Sequence, residues 1–180
     1  MTRAAPRPPR PRRPGDRGGE GRHPAVALRK DLARSIRAGH PWIFAHALAV
    51  PDGLRTGRVV DVVDRRDRFV ARGLYDAESP IGVRVWTLDA HEPVDAATIA
   101  GRVAAAAAMR RAVVDAAVTD AYRMVHGEGD RLPGLVCDRY ADTAVLQLDS
   151  GALEPWLGAV VEAVRAADDG VRRVVLRRPK

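Results

Sequence analysis

The sequence predicts an α+β chain of two small units. Residues 25–90 form a mostly β unit, and residues 92–178 form an α/β unit in the order helix, strand, strand, helix, strand. Three observations predict this. β-Branched and aromatic residues cluster in short runs between Arg58 and Trp86. From Asp95 onward the apolar residues recur at helical spacing. Finally, Leu153, Trp156, Leu157, Val160, Val161 and Val164 give the clearest helical period in the chain. A length of 180 residues suffices for one ordinary domain or two small ones.

Residues 1–22 are Pro, Arg and Gly with almost nothing to bury, and read as a disordered basic arm. The arm is either a phosphate-binding tether or a solubilising extension. Ala25 to Leu28 is a short apolar piece. From Asp31 to Gly39, Leu32 and Ile36 share a face at a spacing of four and Gly39 caps the end, which makes a short helix. Its other face carries Arg34 and Arg37, with Lys30 nearby. Residues 58–63 and 68–75, joined by the polar turn 64–67, make a hairpin. In residues 81–86, Ile81, Val83 and Val85 alternate with Arg84 and Trp86. Asp95 is the N-cap of a long helix through about Ala117, with an apolar stripe of Ile99, Val103, Ala106 or Ala107, Val113 and Ala117, and with Arg102, Arg110 and Arg111 outward. A Gly-rich passage follows, then a hairpin over 135–140 and 143–148. Next comes the periodic helix, with Pro155 in its first turn, and a last strand over 171–176.

Composition narrows the function classes. No apolar run approaches the roughly 20 residues of a membrane span, and no secretory signal opens the chain. The single cysteine, Cys137, excludes an internal disulfide framework, so a reducing cytoplasm fits. The net charge of +7 is uneven: residues 1–22 carry +5, residues 23–40 carry +3 and the rest carries −1. Arginine outnumbers lysine 28 to 2, a bias that a GC-rich genome also produces.

Two passages hold residues that could carry chemistry. Gly39-His40-Pro41-Trp42-Ile43-Phe44 places two of eight aromatic residues directly after the basic helix. Rings beside cations can stack on unpaired bases while the cations hold phosphates. Core anchorage of Trp42 and Phe44 is the reading that large apolar side chains favour. In Tyr122 to Tyr140, His126, Glu128 and Asp130 alternate, so an extended chain would aim all three at a divalent metal, as a metal-dependent hydrolase requires. The interleaved glycines and Leu132-Pro133-Gly134 suit a structural turn better. Cys137 lies on an expected strand among apolar neighbours and reads as buried and inert.

With these passages in view, the chain resembles a known family. Gly39 to Phe44, Ala71-Arg72-Gly73-Leu74-Tyr75, Ser79-Pro80-Ile81, Val83-Arg84-Val85-Trp86, Tyr122-Arg123, Gly127-Glu128-Gly129-Asp130, Leu132-Pro133-Gly134-Leu135 and Asp138-Arg139-Tyr140 are similar to the PUA-containing class I S-adenosylmethionine-dependent ribosomal RNA methyltransferases. The best-known members methylate cytosine at carbon 5 in large-subunit ribosomal RNA. The resemblance implies that 25–90 is a PUA-like pseudo-barrel that binds RNA and that 92–178 is the family's central α/β domain. It places the methyl donor and the catalytic cysteine on a following Rossmann-like domain, absent from this chain. The expectation is therefore the RNA-binding portion of such an enzyme, truncated and not catalytic alone, with ribosomal RNA as partner, no membrane, and no cofactor in these residues although S-adenosylmethionine serves the full-length family. A stand-alone RNA-binding or ribosome-assembly module is the alternative, and the homodimer question stays open. The RNA contacts expected from charge and position are Lys30, Arg34, Arg37 and His40, with Arg72 and Arg84 from the strands. Arg131 stands where the family usually has Gly; a turn needing positive φ would be strained there by Arg.

Overall fold

The computed structural model describes residues 23–178; the basic arm expected over 1–22 lies outside the described residues. Ala25–Leu28 (β1) precedes Ala33–Arg37 (α1), followed by Trp42–Phe44 (β2), Leu48–Ala49 (β3), Val59–Val63 (β4), Phe69–Tyr75 (β5) and Ile81–Thr87 (β6). These six strands form one sheet in the order β2-β6-β5-β4-β1-β3, so β2 lies at an edge. The hairpin expected over 58–75 is β4–β5. Three short strands, β1 to β3, join it where the sequence showed only an apolar piece and a motif. Ile36 seals α1 onto the sheet, and Gly39, at φ 103°, ends the helix by donating its N–H to Ile36 O.

The second sheet, in the order β10-β9-β8-β7, is built from Ala121–His126 (β7), Leu135–Tyr140 (β8), Thr143–Leu148 (β9) and Arg173–Arg177 (β10). Ala96–Val113 (α2) and Leu157–Ala167 (α3) pack with it. The expected order lacked β7. A bulge between Arg123 and Val125 puts Met124 and Val125 both inside, which breaks the two-residue alternation by which a strand is recognised. Asp95 caps α2 as expected, its carboxylate accepting from Thr98 N at 2.8 Å. The helix stops at Val113 rather than Ala117. The Asp115 carboxylate accepts from Ala117 N, a local turn that competes with helix propagation, and Val113 is exposed. The α3 crossover brings β10 parallel to β9.

The two sheets share a core. Val59, Leu74 and Trp86 of the first pack in one cluster with Leu135 of the second and with Ile99, Leu153 and Val160 from the helices and turn that cover it. Polar bonds follow the same seam: Ser150 Oγ donates to Asp76 at 2.7 Å, Trp156 Nε1 to Gly57 O at 3.0 Å, and Arg84 Nη2 to Asp149 O at 2.9 Å. Arg102, expected outward, is buried at the seam, with its guanidinium 5.2 Å from the Trp86 ring and donating to Trp86 O and Glu92. A helical wheel assigns charge to the solvent side, but a long arginine can reach a carboxylate on the neighbouring element. Arg110 is likewise inward, paired with Asp130.

Candidate nucleic-acid interface

Lys30, Arg34, Arg37 and His40 are all exposed, on α1 and the turns that flank it. Among the described residues none of the first three forms an ion pair; Arg37 Nη2 reaches Phe69 O at 3.5 Å. The chain then turns through Gly39 and Pro41 into β2, where Trp42 and Phe44 are 39% and 42% exposed and Ile43 is fully buried. Core anchorage of the two rings is therefore overturned: Ile43 is the anchor. Alternate residues of a strand share a face, and an edge strand has a second sheet neighbour on one side only. His40 meets the Trp42 ring edge-on at 6.4 Å, and His46 stacks on Phe44 at 6.0 Å with 24° between the planes.

Arg72 and Arg84 occupy different ground. Arg72 is buried, its Nε 2.7 Å from Asp61 and its Nη1 donating to Glu92 O at 2.8 Å. Arg84 is buried against Glu128 and Asp149 O. Both are committed to holding the fold, so the structure removes them from the set of surface cations. Alternation had placed Arg84 opposite the apolar face of β6, but the second sheet covers that side as well.

Spacing offered Glu128 to a metal and missed its actual partner. Glu128 Oε1 accepts from Trp42 Nε1 at 2.7 Å across 86 positions of sequence and lies 3.4 Å from Arg84 Nη1. It lies in the 3₁₀ turn Gly127–Asp130, where an extended chain was the premise for a metal site. The turn sends the carboxylates apart: Glu128 to Trp42, and Asp130 to Arg110 with both oxygens at 2.7 Å and to His126 N at 2.6 Å. Among the described residues no group of three or more His, Cys, Asp or Glu side chains is placed to hold a metal. Arg131 ends this turn at φ 59°, the strained left-handed conformation that its position implied. Beside it, a cleft of about 440 Å³ opens between His40, Trp86, Glu92, Glu128 and Pro133. Cys137 is buried, and burial pushes its thiol up to about 12, away from nucleophile chemistry.

Glu92 joins Thr87, Arg102 and Arg131 at the seam. The Thr87 hydroxyl and then Arg102 hold its carboxyl below the ordinary value of 4.5, against the opposing effect of burial. A depressed folded pKa contributes stability that is present above pH 4.5 and is lost as pH falls through the folded value. Urea midpoints measured from pH 6 to pH 3 are therefore expected to fall in the wild type and to fall less steeply in Glu92→Gln.

The strand-to-helix turn after β9 bears on a nucleotide-type cofactor, because open α/β sheets bind such groups at that place. Here the turn is filled: Asp149 O takes Arg84, Ser150 takes Asp76, and Ala152 N is capped by Ser150 Oγ at 3.2 Å. The residues at this turn do not fit an adenosyl group.

Comparison with known proteins gives three findings. Residues 26–88 match the PUA-like domain family. The chain is 36% identical over 143 residues to ribosomal RNA large subunit methyltransferase I of Klebsiella pneumoniae, covering 79% of this chain and 36% of that protein. The protein of the same name in Shewanella denitrificans is 37% identical over 139 residues, covering 76% and 35%. The chain thus spans about a third of the length of these relatives. In fold, it superposes on a Streptococcus mutans protein described as a SAM-dependent methyltransferase with a TM-score of 0.73 at 13% identity, over 85% of this chain and 40% of that one.

Proposed function

We propose that this chain, a PUA-like unit joined to an α/β unit and homologous to ribosomal RNA large subunit methyltransferase I, is the RNA-binding and central portion of an S-adenosylmethionine-dependent methyltransferase. Its substrate is bacterial large-subunit ribosomal RNA, methylated at cytosine carbon 5, and its compartment is the cytoplasm. Residues 25–90 are the RNA-binding unit and 92–178 the central unit. The observation that carries the reading is the run of exposed cations Lys30, Arg34 and Arg37 on and just before α1, leading through His40 into the exposed rings of β2. Guanidinium and ammonium groups bind phosphate and release its counterions, which supplies affinity without sequence preference.

Donor binding and the attack on carbon 6 of cytosine are not assigned to residues 23–178. The filled turn after β9 and the buried, protonated Cys137 support that division. What these residues do is hold the RNA and, through the shared core, fix its position relative to the second sheet.

The test is the salt dependence of binding to a fragment of large-subunit ribosomal RNA, read by fluorescence anisotropy. Each phosphate contact adds about 0.7–0.9 to the slope of log K against log salt. Arg34→Ala/Arg37→Ala is expected to weaken binding to all sequences and to flatten the slope by about 1.5. A wild-type slope in the double variant overturns the assignment, and stoichiometric S-adenosylmethionine binding by this chain in calorimetry overturns the division of labour.

A further inference from the structure

We infer that Trp42 and Phe44 form a two-position stacking platform for unpaired RNA bases, and that Glu128 is the positioning residue that holds the Trp42 ring in place. The inference rests on the RNA-binding reading and adds to it which part of the nucleotide is taken, and by what.

An exposed tryptophan and an exposed phenylalanine on one three-residue strand, with a fully buried isoleucine between them, are not leftover core residues. Alternate positions of a strand lie about 6.6 Å apart, which gives each ring room for a base of its own. Each ring is also braced: His40 against the edge of Trp42, and His46 stacked on Phe44.

Trp42 is fixed further. Its Nε1 donates to the Glu128 carboxylate at 2.7 Å, a short charge-assisted bond. That carboxylate is in turn placed by Arg84, a buried guanidinium anchored to Asp149 O. The bond thus runs from the RNA-facing strand to the loop of the second sheet. A ring held before binding loses little freedom when a base settles on it.

Charge selects the occupant. The platform adjoins the cations on and beside α1, which form no ion pair among the described residues. Its ring contacts are to histidines, and its one carboxylate neighbour, Glu128, sits at the Trp42 Nε1 edge and is itself offset by Arg84. That surface suits a base with its phosphate better than an apolar protein face. Unpaired nucleotides are specified because base faces are available for stacking only outside a duplex.

The experiment uses the full chain and a labelled single-stranded oligonucleotide from large-subunit ribosomal RNA, with circular dichroism to verify folding. Trp42→Leu and Phe44→Leu are each expected to weaken binding by roughly 5- to 150-fold with an unchanged salt slope, the reverse of the pattern for Arg34 and Arg37. An oligonucleotide carrying abasic residues should lose affinity for the wild type and little more for the Trp42→Leu/Phe44→Leu double variant. Trp42 is the exposed tryptophan among three, so binding should quench the fraction of fluorescence accessible to acrylamide. Glu128→Ala should lose part of that affinity and Glu128→Gln, which keeps an acceptor for Nε1, should restore it.

If the wild type binds RNA and both leucine variants bind equally well, the platform is overturned while the cationic face stands. A wild type that binds no RNA overturns the underlying reading instead. Variants that alter self-association in sedimentation while leaving RNA affinity unchanged assign the rings to a protein interface and likewise overturn the platform.

Discussion

Gly73→Ala is expected to destabilise the protein by more than about 3 kcal/mol, a large share of the roughly 5–15 kcal/mol that holds a typical domain folded. A Cβ at this position would stand 2.1 Å from Arg84 O and 2.9 Å from Arg84 C and Val83 Cγ1. Two of those three atoms are backbone, so no rotamer change relieves the contact. The β5–β6 register shifts between Arg72 and Gly73, and the missing side chain lets β6 close in at that bulge. Pushing β6 away would also move Arg84, and with it the bonds to Asp149 O and Glu128 that bridge the sheets. The damage is thus expected to reach the Trp42 ring. Gly101→Ala is the control. It lies inside α2 with nothing within 4 Å of its added Cβ, and should stabilise by about 0.5–1 kcal/mol through helix propensity alone. Urea unfolding of the two variants measures both effects, and equal midpoints would refute the steric account.

The sequence conveyed some of these elements and hid others for definite reasons. β4, β5 and β6 were legible because their runs are β-branched and bounded by polar turns, and α3 because its apolar period is unbroken. β7 was hidden by its bulge. The exposure of Trp42 and Phe44 was hidden because Trp-Ile-Phe is apolar throughout, so alternation within it has no polar phase to read; only pairing at the sheet edge decides which side faces water. Arg72, Arg84, Arg102 and Arg110 misled in the opposite direction. Charge and position put each on the surface, and each instead meets a carboxylate on a neighbouring strand, loop or turn. Of the expected RNA contacts, those that stayed on the surface are the ones on or beside α1. A short helix with one buried face has little else to do with its charges. The bond from Trp42 to Glu128 carried no local signal, since its two ends lie in different units.

Asp130→Ala should cost about 3–5 kcal/mol, for a reason that also separates two readings of the loop. Arg110 and Asp130 are joined by two bonds of 2.7 Å, and their side chains are only 12% and 6% exposed. Asp130 further accepts from His126 N at 2.6 Å, which closes the turn. Truncating the carboxylate strands a nearly buried guanidinium and an unbonded amide, whereas removing both charges leaves only the amide. Arg110→Met/Asp130→Leu should therefore be more stable than Asp130→Ala, and a double-mutant cycle should give a favourable coupling of about 1–3 kcal/mol. A metal-binding role makes the opposite demand. If Asp130 held a divalent cation with His126 and Glu128, magnesium, manganese or zinc would raise the melting temperature of the wild type and not of Asp130→Ala. Because Arg110 already occupies both carboxylate oxygens, the expected difference between wild type and variant is the same with and without the cation. A cation-dependent difference would mean that Asp130 leaves Arg110 to take up the metal, and would return the hydrolase reading to this loop.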